Sequence, residues 1–115
     1  MNIVERFLQY VAFDTQSAED TGKTPSTDKQ FNLARFLKNE LETLGLEDVE
    51  MTDNGCVYAT LPANTTDDVP VIGFIAHMDV VNDVPSAGVK ARVVERYDGG
   101  DIVLNGSGAV LSPKE

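Results

Sequence analysis

The stretch Val71-Ile72-Gly73-Phe74-Ile75-Ala76-His77-Met78-Asp79 decides how this chain is read. Its first six residues are apolar without alternation, the pattern of a strand covered on both faces. Such strands belong to the middle of an α/β sheet. The run then turns polar at His77 and Asp79, the first and third residues of His-Met-Asp. Residues i and i+2 of a strand project to the same face, so both side chains are expected together at the strand's carboxyl end. Ligands and catalytic groups gather there in open α/β sheets. Imidazole is the commonest metal ligand, and a carboxylate often orients it.

Working outward, residues 3–13 carry Ile3, Val4, Phe7, Leu8 and Val11 on one stripe and predict a helix. Residues 14–26 are polar, with Gly22 and Pro25, and predict an exposed loop. Thr27-Asp28-Lys29-Gln30 has the form of a capping box. A helix is expected over 28–44, burying Phe31, Ala34, Leu37, Leu41 and Leu44, with Leu33 and Phe36 widening the stripe and Gly45 as the stop. Val49 and Met51, a turn at Asp53-Asn54-Gly55, then Val57, Ala59 and Leu61 predict a β-hairpin. Further short strands are expected at 92–96 and 102–104. The expected fold class is α/β in the order helix, helix, hairpin, central strand. No later helix is expected to cover the far face of the sheet, so the arrangement reads as part of a domain. A small complete α/β module is the competing reading.

The 115 residues suffice for one domain, with 42% apolar and 24% charged residues, as in soluble globular proteins. No apolar stretch reaches the roughly 20 residues that span a bilayer, and the first residues lack the pattern of a secretory signal. The net charge of −10 argues against a nucleic-acid partner, because a phosphate backbone would be repelled. The one cysteine, Cys56, cannot form an internal disulfide. Its neighbours Val57 and Tyr58 suggest a strand, so a buried, inert thiol is expected. A cytoplasmic location fits these features. An uncovered sheet favours self-association of the chain.

On local chemistry alone His77 has two readings: a strand-end residue bonded to backbone or solvent, or a metal ligand. A structural zinc takes four protein ligands and a catalytic one usually three. This chain offers one His and one Cys. Its carboxylates, Asp79, Asp83, Asp98 and Asp101 among them, read as a solvated face. Gly106-Ser107-Gly108 does not fit a nucleophile elbow, and the glycines at 99, 100, 106 and 108 are not followed by the lysine of a phosphate loop.

Several segments, taken in order, resemble one family. Ile72-Gly73-Phe74-Ile75-Ala76-His77-Met78-Asp79 resembles the first metal-ligand segment of the co-catalytic zinc exopeptidases, and Phe13-Asp14-Thr15-Gln16-Ser17 their opening segment. Asn54-Gly55-Cys56-Val57-Tyr58-Ala59-Thr60-Leu61-Pro62 resembles their first hairpin. Tyr97-Asp98-Gly99-Gly100-Asp101-Ile102 and Val110-Leu111-Ser112-Pro113 resemble the tripeptide aminopeptidase branch in particular.

The resemblance implies that this is the N-terminal portion of a zinc exopeptidase catalytic domain. His77 would be a ligand to one of two zinc ions. Asp79 would stand in the catalytic site as the carboxylate that orients His77. The expected substrate is a short peptide with a free N-terminus. The family's bridging aspartate, general-base glutamate, remaining ligands and lid domain would lie after residue 115. The 115 residues alone are expected to be inactive and not to bind zinc stably. Residues 105–109 and 80–83 depart from the family's pattern, and a deacylase or carboxypeptidase branch would share His77 and Asp79.

Overall fold

The computed structural model describes residues 1–114. Helix α1 spans Ile3–Tyr10 and helix α2 Gln30–Thr43. Strands β1 (Glu47–Met51) and β2 (Val57–Thr60) form one antiparallel hairpin, and β3 (Ile102–Val103) and β4 (Val110–Leu111) form a second. The result is a small α/β chain.

The first helix begins on a capping box that the sequence reading missed. The Asn2 side chain accepts from the Glu5 amide at 2.9 Å, and the Asn2 amide donates to Glu5 Oε2 at 2.8 Å. The expected apolar stripe forms, but it faces water: no α1 residue is buried, and Ile3 and Phe7 are largely exposed. The helix is held instead near its end. Tyr10 packs edge-on against Phe36, and Phe13 stacks at a tilt 5.3 Å from the same ring.

The box expected at Thr27 and Gln30 does not form. Thr27 donates its hydroxyl to the Gln16 carbonyl, and Gln30 donates its amide to Ser26. Lys29 stands at the α2 N-cap, and its side chain does not cap the helix. At the other end the stop at Gly45 is as expected. Leu46 N–H donates to the Leu41 carbonyl and Gly45 N–H to that of Glu42, with Gly45 at φ +80°. That is the Schellman pattern, and the left-handed backbone favours glycine. Leu33 and Ala34 are the buried hydrophobic residues, while Leu44, expected on the buried face, is exposed.

The first hairpin forms as expected, with Met51 opposite Val57 and a bulge between Glu47 and Glu50. Gly55 closes its turn at φ +79° and donates to the Thr52 carbonyl. Val49, Met51, Val57 and Ala59 are half-buried, on the face turned to α2.

The central strand is the main correction. Residues 71–76 are not a strand, and Val71, Phe74 and Ile75 are almost fully exposed. A strand apolar on both faces needs hydrogen-bonded neighbours and a covering layer on each side, and the described residues supply neither. The expected strand at 92–96 is also extended chain and turn. The loop at 14–26 differs in the opposite sense. Thr15 is buried and residues 13–18 lie against 80–86, with a parallel bridge between Gln16 and Val80.

The molecule is correspondingly open. Its radius of gyration is 17.8 Å, where a compact chain of this length gives about 13 Å. Its accessible surface is 9354 Å², against about 6,200 Å² for a folded monomer of this mass.

Candidate metal centre

His77 and Asp79 come together, but after an irregular run and not at the end of a strand as expected. His77 Nδ1 lies 3.1 Å from Asp79 Oδ1. An ionised carboxylate only accepts, so the ring donates from Nδ1. This tautomer leaves the Nε2 lone pair free, as in a carboxylate–histidine ligand unit. The His77 side chain is 85% exposed and that of Asp79 44%. The contact is therefore solvated and contributes little to stability. Its importance is in orienting the ring.

The pair lies on the wall of a cavity of about 690 Å³. Leu37 and Leu41 of α2, Val57 and Tyr58 of β2, and Phe74 supply apolar lining. Arg6, Tyr10 and Glu40 form a polar cluster in the same wall. Tyr10 donates to Glu40 Oε2. Arg6 Nε stands 3.3 Å from Glu40 Oε1, out of line for a hydrogen bond, so the pair is a charge contact. Burial, and then the bond to Glu40, push the Tyr10 hydroxyl up to about 12.

Cys56 lines this cavity but is exposed, contrary to the buried thiol expected. It follows the hairpin turn and lies just before β2. Among the described residues no group of three or more His, Cys, Asp or Glu could hold a metal ion. Asp83, Asp98 and Asp101 are exposed and do not join the pair. The donor set fits one histidine ligand with its orienting carboxylate and does not complete an ion site.

One set of contacts next to the site carried no signal in the sequence. Asp14 Oδ1 accepts from Lys29 Nζ at 2.8 Å and from Ser86 Oγ at 2.5 Å. The Lys29 bond, followed by the Ser86 bond, lowers the Asp14 carboxyl to about 2. Polar residues in a loop have no periodicity by which to read them.

The sequence is similar along its whole length to curated proteins. It is 56% identical over 115 residues to "Peptidase T" of Desulfitobacterium hafniense (strain Y51), covering 99% of this chain and 28% of that protein. The chain is a peptidase T homologue. Peptidase T of Edwardsiella ictaluri is 53% identical over 112 residues, covering 97% of the chain and 27% of the relative. Peptidase T of Geobacillus kaustophilus is 50% identical over 114 residues, covering 98% and 28%. The chain thus spans little more than a quarter of the length of these peptidase T relatives. The matched region takes in His77 and Asp79. No protein-family model matches the chain. Among the described residues no helix is long and apolar enough to cross a membrane.

Proposed function

We propose that this chain is the N-terminal part of a zinc-dependent, cytoplasmic aminopeptidase that releases the N-terminal residue from tripeptides. His77 is a ligand to one of two zinc ions, and Asp79 orients it. The observation that carries this reading is the 3.1 Å contact between His77 Nδ1 and Asp79 Oδ1, in a chain related to peptidase T throughout.

Asp79 accepts a hydrogen bond from Nδ1–H, holds the ring and raises its basicity, which leaves Nε2 as the donor atom. Bound zinc supplies Lewis acidity and lowers the pKa of its water. The general base and the other ligands belong to residues outside this chain. With one histidine, the 115 residues alone bind zinc weakly and do not hydrolyse peptides. The partner is a short peptide; the acidic chain takes no nucleic acid and no membrane.

The test uses the natural protein that carries this sequence. Tripeptides with free and acetylated N-termini are offered before and after chelation and zinc repletion. Hydrolysis of the free tripeptide alone, lost on chelation and restored by zinc, is expected. Asp79→Asn should lower kcat/KM by about 10- to 100-fold, and His77→Ala by more. Preference for an acylated substrate would move the assignment to a deacylase. Activity that survives both chelation and His77→Ala would end the metal reading.

A further inference from the structure

We infer that Gln16 is a positioning residue for the His77–Asp79 pair, acting through the loop that follows it. Residues 71–77 make no backbone hydrogen bonds among the described residues, so the main chain before the pair is not held. The first hold comes immediately after Asp79. Val80 N–H donates to the Thr15 carbonyl at 3.3 Å, and the Val80 carbonyl accepts from Ser17 N–H at 2.9 Å. This is the parallel bridge centred on Gln16.

The Gln16 side chain closes the loop around that bridge. Its Nε2 donates to the carbonyls of Asn82, at 3.0 Å, and Val84, at 2.8 Å. Its own amide points at Ser86 Oγ, 3.0 Å away, and its carbonyl accepts from the Thr27 hydroxyl at 2.9 Å. Thr27 leads into α2, and Lys29 at the α2 N-cap reaches Asp14 beside Ser86. A continuous set of bonds therefore runs from the start of α2 through Gln16 to Val80, the residue next to Asp79.

The chemistry requires an amide at position 16. Both loop partners are carbonyl oxygens, so they need donors. Gln16→Glu keeps the shape but turns an acceptor toward two acceptors. Releasing the loop frees Val80, and with it the backbone that sets Asp79 against His77. The positioning stands on the geometry alone; its consequence for metal binding rests on the function proposed above.

The chain has a single histidine, so its ring nitrogens are unambiguous in a ¹⁵N NMR spectrum of the 115-residue chain. In the neutral ring the bond to Asp79 should give two well-separated signals, a protonated Nδ1 and a bare Nε2. In Gln16→Glu they should converge toward the average of a freely exchanging imidazole. Exchange of the Val80 amide should speed up on the order of tenfold, while α2 amides keep their positions. Unchanged His77 signals in a folded Gln16→Glu chain would overturn the inference and leave Gln16 a structural residue. If that variant does not fold, hydrogen exchange in the unaltered chain decides. A Val80 amide that exchanges as fast as those of Phe74 and Ile75 would overturn it, and a slower one supports it. Zinc dependence of the natural protein that carries this sequence separates the two readings. His77 signals sensitive to Gln16→Glu in this chain, with hydrolysis by the natural protein that survives both chelation and His77→Ala, would support the positioning role and count against the metal assignment.

Discussion

Asp14 and Cys56 show how far a residue's chemistry depends on what the fold places beside it. Asp14 lies in a polar loop, yet it takes bonds from Lys29 and Ser86, and its carboxyl falls to about 2. The folded state therefore holds the charged form more firmly than the unfolded chain does. Its contribution to stability is present above the unfolded value of 3.8 and is lost as pH falls through about 2. In Asp14→Asn the acid-unfolding curve between about pH 4 and 2 should flatten, as followed by circular dichroism; an unchanged curve would remove Asp14 from the account. Cys56 is exposed. It should react with an aromatic disulfide reagent in native buffer at close to the rate of a small free thiol. Reaction only after denaturant would return it to the buried position expected from its neighbours.

At the scale of elements, the helices and the first hairpin follow from local signals. The α2 periodicity, the Gly45 stop and the Asn54-Gly55 turn each favour one backbone conformation regardless of what packs around them. Capping is less legible. Thr27 and Gln30 had the right spacing for a box but found other partners, and the true box sits at Asn2 and Glu5. Asn2→Ala should destabilise α1 by about 1 kcal/mol. The measurable sign is a loss of far-ultraviolet helix signal, with the hairpin's amide resonances unmoved. No change in helicity would mean that α1 is held by its contacts to Phe36 and Glu40. Strands are less legible still, because pairing partners are remote in sequence. Residues 71–76 read as a strand and are not one, whereas Val110 and Leu111 were not read as a strand and pair with β3.

At the scale of the whole molecule, the exposed apolar run is the dominant fact. Val71, Phe74 and Ile75 sit in water with their backbone groups unpaired among the described residues, the combination that invites edge pairing between chains. We expect the 115-residue chain to self-associate despite its charge of −10. Sedimentation velocity should show species larger than the monomer, increasing with concentration and salt as charge repulsion is screened. Phe74→Lys with Ile75→Lys should shift the population to monomer, since inward or edge charges block strand pairing. A monomer at all concentrations, with a sharp cooperative melt, would show that the run is covered in solution.

The sequence by itself determined the helices, the first hairpin and the meeting of His77 with Asp79. These depend on periodicity, turn chemistry and the spacing of residues close along the chain. It also carried the kinship to peptidase T, since likeness of sequence is read position by position. Only the tertiary structure decided that the apolar run stays unpaired, that Cys56 faces solvent, and that Gln16 and Asp14 tie the loop beyond Asp79 to the start of α2. These are contacts between segments some sixty to seventy residues apart. Forming them, or failing to, depends on whether the rest of the described chain supplies a partner, and no local pattern encodes that.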